Sequence, residues 1–124
     1  MEQKDKLDVI FELQNKFDTD LADRRGLHDI DSATWIQKEV LAMISELGEL
    51  LDEVNFKWWK NEKPVDEAAV KGELVDILHF FVSMCLKMDM TATELYELYL
   101  EKNRENFRRQ DGLSEKSGYV SPKV

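Results

Sequence analysis

The sequence predicts an all-α fold, a bundle-like protomer of four helices. Apolar residues recur at helical spacing in four segments, and Gly, Pro or a capping pair separates each segment from the next. No strand-like alternation of useful length is present. A chain of 124 residues suits one domain, 1–124, in which residues 111–124 are expected to form a flexible tail.

The first helix is expected over residues 4–24, which hold no Gly or Pro. Gly26 and a short polar run then interrupt the pattern. The second helix is expected over residues 33–57. Its candidate caps are Asp31, Ser32, and Thr34 with Gln37 at capping-box spacing.

A polar segment with Pro64 ends the second helix and sends the chain back. The third helix is expected over residues 66–88. Thr91 with Glu94 forms a second capping box, so the fourth helix is expected over residues 92–109.

The second helix carries acidic and apolar residues on opposite arcs. Glu46 and Glu49 are three residues apart and therefore point the same way. The opposite arc is expected to be a core stripe. It consists of Leu41, Ile44, Leu47, Leu51 and Val54.

A second acidic pair, Glu73 and Asp76, has the same spacing on the third helix. One such pair alone is more typical of a solvated helix face. Two pairs among core residues would repel each other without a cation. Mg²⁺ prefers oxygen ligands and also binds substrate phosphates, so these acids predict a magnesium site between the two helices.

The fourth helix ends in a cationic and amide face of Lys102, Asn106 and Arg109. Such a face suits a polyphosphate. The alternative is a solvated face with i, i+4 pairs such as Glu105 with Arg109.

Trp58, Trp59 and Lys60 follow the acidic helix. One tryptophan is expected in the core, and the other is available to stack on a base. Lys60 is either an exposed loop lysine or a phosphate ligand. Gln14 offers both donor and acceptor to a base edge, and His79 is either a hydrogen-bonded histidine or part of the site.

Charge and composition exclude several classes. The net charge of −9 argues against broad binding to nucleic acid or anionic membranes. The single cysteine, Cys85, cannot form an intrachain disulfide and is expected to be a buried thiol. Without a signal peptide or a long apolar run, the protein is expected in the cytoplasm.

The combined motifs resemble the MazG-like, all-α nucleoside triphosphate pyrophosphatases. Their acidic signature is matched by Glu46-Leu-Gly-Glu49 and Glu73-Leu-Val-Asp76, and their later cationic element by Lys102, Asn106 and Arg109. Within this superfamily the chain most resembles the dimeric dUTPases of bacteria and phages. That closer match is carried by Gln14, Asp18, FKWWK, VDILHF, Arg109-Gln110 and Gly118-Tyr119.

The resemblance implies a dUTP diphosphatase that converts dUTP and water to dUMP and pyrophosphate. Mg²⁺, with Mn²⁺ as a substitute, would be held by Glu46, Glu49, Glu73 and Asp76, and Glu49 would accept the proton of the attacking water. Gln14, Asp18 and His79 would lie near the base or sugar. The remaining substrate contacts would be Trp59, Lys60, Lys102, Asn106, Arg109 and Tyr119.

Two alternatives stay open. A dCTPase or a broad house-cleaning pyrophosphatase would change only the substrate, whereas a non-catalytic helical module would bind a protein partner. Four helices also leave more apolar surface than one small bundle can bury. We therefore expect a homodimer or a higher homo-oligomer. The molecules that it binds are expected to be deoxynucleoside triphosphates rather than nucleic acid or membrane.

Overall fold

A computed structural model describes residues 3–119, and they form four helices. These are α1 (Lys6–Arg25), α2 (Ser32–Glu53), α3 (Glu67–Lys87) and α4 (Ala92–Gln110). We find no β-strand in this range, so the predicted all-α class is confirmed. None of the helices in residues 3–119 combines the length and the apolar composition of a membrane span.

Each helix begins at a side chain that accepts a hydrogen bond from a free backbone amide of the first turn. The caps are Asp5, Asp31, Asp66 and Thr91. For α2 this decides among the three candidates, because the Asp31 carboxylate accepts from the amide of Thr34 at 2.7 Å. Thr91 caps α4 as expected, accepting from the amide of Glu94 at 3.0 Å.

The second helix ends four residues earlier than the predicted residue 57. Asn55 adopts the left-handed conformation with φ 59°, which a helix cannot continue through. Its side-chain amide then donates to the carbonyl of Lys63 at 2.8 Å and accepts from the amide of Lys63 at 3.0 Å. These two bonds close the loop between α2 and α3, a long-range constraint that helical periodicity does not reveal.

The chain forms two compact units, Met1–Met90 and Thr91–Val124. In the first unit, α3 packs against both α2 and α1. Contacts of α2 with α3 pair Glu39 with Ser83 and Glu46 with Glu73, so these helices are antiparallel. Contacts of α1 pair Gln14 with His79 and Asp18 with Lys87, so α1 runs parallel to α3.

The interior of the first unit is small. Phe11, Val82 and Cys85 are its buried apolar residues. Cys85 is buried, which confirms the expected buried thiol, and this burial raises the pKa of the thiol.

The core stripe predicted for α2 is wrong, because its apolar residues are 44–66% exposed. Those residues, the outer stripe of α2, are Leu41, Ile44, Leu47, Leu51 and Val54. The helix instead turns its other side toward α3, with Glu39 buried and Glu46 half-buried. Glu39 meets Ser83 and Glu46 meets Glu73 on that side, and one neighbouring helix covers only one side of α2.

The second unit consists of α4 and the segment that follows it. Ser114 donates to the Glu105 carboxylate at 2.5 Å, and Arg108 donates to the carbonyl of Leu113 at 2.9 Å. The segment therefore folds back on α4 as far as Tyr119. The rest of the predicted tail, residues 120–124, lies outside the described residues.

Candidate active site

Three carboxylates converge between α2 and α3. Glu46, Glu49 and Glu73 each offer a ligand oxygen, and these oxygens lie within 4.8 Å of one another. Helical spacing brings Glu46 and Glu49 to one side of α2, and the antiparallel packing of α3 brings Glu73 against them. The predicted meeting of the two acidic pairs is thus present for three of the four acids.

The charges in this cluster are unbalanced. A hydrogen bond with Glu73 raises the pKa of Glu46 above its ordinary value, and desolvation acts in the same direction. The bond from Glu49 opposes this effect, whereas the charges of Glu73 and Asp76 add to it. Asp76 is outside the tight group of three, yet it is close enough to act on Glu46.

The donor set fits a hard divalent cation. One carboxylate oxygen of Glu46 and one of Glu73 are buried and have no hydrogen-bond partner within residues 3–119. Buried carboxylate oxygens are costly unless a donor or a cation satisfies them. Oxygen ligands with several negative charges are those that Mg²⁺ and Mn²⁺ accept. Metal binding itself stays a prediction.

A cavity of about 810 Å³ opens beside the cluster and lies within the first unit. That volume is in the range of small-molecule sites. Glu46 and Asp76 line one part of it. Its apolar wall is built by Phe17, Leu21, Leu27, Ile30, Trp35, Phe80 and Leu86.

The cavity also contains the residues that the resemblance placed near a base or sugar, namely Gln14, Asp18 and His79. Gln14 donates to the Asp18 carboxylate at 2.9 Å, and its carbonyl oxygen lies 2.7 Å from Nδ1 of His79. Gln14 and Asp18 are four residues apart on α1 and therefore share a face. The structure thus brings these three residues together in one place.

Sequence reasoning missed three polar residues that line the cavity beside them, namely Glu39, Ser83 and Lys87. Ser83 contacts the carboxylates of Asp18 and Glu39, and Lys87 lies 3.2 Å from Asp18 and 4.7 Å from the ring centre of Trp35. The available signal was the spacing of His79, Ser83 and Lys87, which are four residues apart on one face of α3. Serine and lysine at that spacing are too common to have indicated a site.

Two predicted residues lie elsewhere in the first unit. Trp59 is 59% exposed in the loop between α2 and α3, where it makes edge contacts with Trp58 and Phe56. Trp58 is 83% exposed, so the expectation that one of the two tryptophans lies in the core is wrong. Lys60 lines a second cavity of about 290 Å³ in the same loop. Neither residue lines the larger cavity, and their role in binding substrate stays a prediction.

The remaining predicted residues belong to the second unit. Lys102 and Asn106 are exposed on α4. Arg109 lies 3.6 Å from Glu105 and places its guanidinium 5.4 Å from the ring centre of Tyr119. The pairing of Glu105 with Arg109 is the i, i+4 pair expected if this face binds no ligand. Binding of phosphate by Lys102, Asn106 and Arg109 stays a prediction.

Comparison with known proteins identifies the family. The sequence profile of the family described as dUTPase matches residues 6–94, which include all four acidic residues of the predicted metal site. The chain belongs to the dUTPase family. This dUTPase-family match ends before Lys102, Asn106, Arg109 and Tyr119.

Curated relatives of this dUTPase-family chain come from phages. It is 36% identical over 88 residues to a dCTP pyrophosphatase of Enterobacteria phage T4, covering 60% of this chain and 52% of the relative. The dCTP pyrophosphatase of phage LZ5 is 36% identical over 75 residues, with 60% and 44% covered. The chain therefore spans about half the length of these relatives. No solved structure matches it.

The relatives and the family profile agree on the class of chemistry. The family profile and both relatives are described as enzymes that act on deoxynucleoside triphosphates. The profile names dUTP, whereas the two phage relatives name dCTP. The preference for dUTP predicted from the resemblance is thus unconfirmed.

Proposed function

We propose that this chain hydrolyses a pyrimidine deoxynucleoside triphosphate to the monophosphate and pyrophosphate, in a reaction that depends on Mg²⁺. The observation that carries the proposal is the cluster of Glu46, Glu49 and Glu73, because Glu46 also lines the cavity that holds Gln14 and His79. One end of this cavity suits a cation with phosphates, and the other suits a base. On α3 the two ends are less than two helical turns apart, because His79 follows Glu73 by six residues and Asp76 by three.

The first candidate substrate is dCTP, because the phage relatives are dCTP pyrophosphatases. The second is dUTP, which the family profile supports. Both are pyrimidine nucleotides, so the same aromatic wall of Phe17, Trp35 and Phe80 would accommodate either base.

The acidic residues have distinct proposed roles. Glu46, Glu49, Glu73 and Asp76 would hold Mg²⁺, which when bound supplies positive charge to the phosphate oxygens and makes water more acidic. Glu49 is the exposed member of the tight group, so its carboxylate is accessible to a water molecule. It accepts a proton from that water as the water oxygen attacks phosphorus, and the bond between the first and second phosphates breaks.

The direct experiment compares turnover of dCTP, dUTP, dTTP and dATP with Mg²⁺, measuring the release of pyrophosphate. The proposal expects pyrophosphate from dCTP or dUTP and little from dATP. Release from all four at similar rates would favour the broad house-cleaning alternative. Absence of both pyrophosphate and Mg²⁺ binding by calorimetry would contradict the proposal and favour the non-catalytic module.

The assembly is also a proposal. The outer stripe of α2 is exposed, and so are Leu74, Val75 and Leu78 on α3. Exposed apolar residues that repeat along one side of a helix are typical of a subunit interface. We propose that a second copy of the chain covers the outer stripe, on the side of α2 opposite the acids.

A further inference from the structure

A polar network that the phosphate chemistry does not use joins three helices and lines part of the cavity. Glu39 and Ser83 are only 7% and 2% exposed. Lys87 Nζ lies 3.0 Å from Ser83 Oγ, 3.2 Å from Asp18 and 3.6 Å from Glu39. Burying polar and charged groups costs desolvation free energy, which hydrogen bonds only offset. Apolar side chains would fill a small core without that cost, so this network indicates a role beyond packing.

Lys87 is what allows the two carboxyl groups to lie side by side. Ser83 contacts both Asp18 and Glu39 through one hydroxyl oxygen. A hydroxyl has a single hydrogen to donate and can satisfy only one of them. The ammonium of Lys87 has three hydrogens and a positive charge, so it supplies the missing donor and offsets the repulsion between the carboxyl groups.

The carboxylate of Asp18 then determines which atoms donate and which accept in the hydrogen bonds between Asp18 and Gln14 and between Gln14 and His79. An ionised carboxylate only accepts, so the group that Gln14 presents to Asp18 at 2.9 Å must be its amide nitrogen. Its carbonyl oxygen consequently faces His79, and Nδ1 of His79 must be the donor across 2.7 Å. A histidine ring with one hydrogen on Nδ1 leaves Nε2 as an acceptor.

We propose that Ser83 and Lys87 are positioning residues that select the base. Through Asp18 they orient Gln14 and His79, so that the cavity presents an acceptor, Nε2 of His79, beside a second amide hydrogen of Gln14. Cytosine has an amino donor where uracil has a carbonyl acceptor. The positions of the donor on Gln14 and the acceptor on His79 therefore determine which of the two bases the cavity complements. This inference rests on the proposed function and specifies the base-recognition end of the same site.

The kinetic test uses two variants, Lys87→Met and Ser83→Ala, which remove the positioning groups and keep Gln14 and His79 themselves. The ratio of kcat/KM for dCTP to that for dUTP is expected to change by about tenfold or more, chiefly through KM, because an oriented polar contact discriminates by at least that factor. Lys87→Arg keeps the charge and should restore most of the ratio. Lys71→Met, a matched change at an exposed position of α3, should leave it unchanged.

The second readout does not depend on turnover. Nitrogen NMR of the imidazole rings distinguishes a hydrogen on Nδ1 from one on Nε2, and exposed His28 is the internal reference. His79 should carry its hydrogen on Nδ1 in the unmodified protein and lose that preference in Ser83→Ala.

The outcomes separate the two proposals. If the unmodified protein hydrolyses none of the nucleotides, both the proposed function and base selection are overturned. The NMR measurement of the imidazole ring still tests the orientation of His79 in that case. Turnover with an unchanged dCTP to dUTP ratio in both variants overturns base selection alone. A hydrogen on Nε2 of His79 in the unmodified protein also overturns it, even if Lys87→Met fails to fold.

Discussion

The proposed dimer is tested most directly by placing a charge in the outer stripe of α2. Ile44 lies at the centre of the stripe and is 58% exposed. Fully burying an isoleucine side chain stabilises by about 1.5–3 kcal/mol, so covering its exposed part is worth about 1–2 kcal/mol in each subunit. A two-fold interface contains the residue twice, which gives about 2–4 kcal/mol per dimer.

Ile44→Lys should therefore weaken the dimer by about 30- to 700-fold in Kd, since each 1.4 kcal/mol is about tenfold. Desolvation of the ammonium would add to this loss. Sedimentation velocity over a dilution series measures the change. Val65→Lys is the matched control, because Val65 is also about half exposed but lies in the loop before α3.

Two results would refute this reasoning. The first is an unmodified protein that sediments as a monomer at micromolar concentration. The second is an equal weakening by Ile44→Lys and Val65→Lys, which would show that the outer stripe is not the interface.

Three further predictions concern the acids and the core. Glu49→Gln should lower pyrophosphate release by about 10²- to 10⁴-fold with an unchanged melting curve by circular dichroism, and normal turnover would exclude Glu49 as the base. The pKa of Glu46 is raised above 4.5, so its folded carboxyl binds a proton more tightly than the unfolded one. In EDTA, the stability that this proton contributes is present below pH 4.5 and is lost as the pH rises through the raised pKa. Urea titrations at several pH values should show a smaller loss of stability in Glu46→Gln than in the unmodified protein. Identical pH profiles of the two proteins would argue against this prediction. Val82 is 0% exposed, so Val82→Ala should cost about 2–3 kcal/mol in the free energy of unfolding, and a loss below about 0.5 kcal/mol would contradict its place in the core.

Local signals in the sequence were sufficient for the helices. Spacing of apolar residues and the capping residues Asp31 and Thr91 are properties of neighbouring positions, so they predict where helices lie. The meeting of Glu46 with Glu73 was also predictable, because two acidic pairs at helical spacing flank one short connection. The resemblance added Gln14, Asp18 and His79, which the cavity brings together.

The orientation of α2 was not predictable in the same way. A helix with an apolar arc and an acidic arc is usually assumed to bury the apolar one. Here Glu39 is buried and Leu41 is exposed, because α2 packs against α3 with its acidic side. Periodicity shows that two faces differ, but it does not show which one has a neighbour.

The network around Lys87 was hidden for a related reason. Its members come from three helices, and Asp18 and Lys87 are 69 positions apart. Each of them alone is an ordinary charged or small polar residue. Only their packing around Ser83 makes them a group, and no short motif encodes that arrangement.

The Asn55 clamp on Lys63 has an entropic consequence for the loop that it closes. Its two hydrogen bonds join the ends of a segment that contains Trp58, Trp59 and Lys60. A segment closed in this way has fewer conformations to lose when something binds to it. Whatever molecule contacts this aromatic tip therefore meets a surface that is already ordered, and more of the contact free energy remains available as affinity.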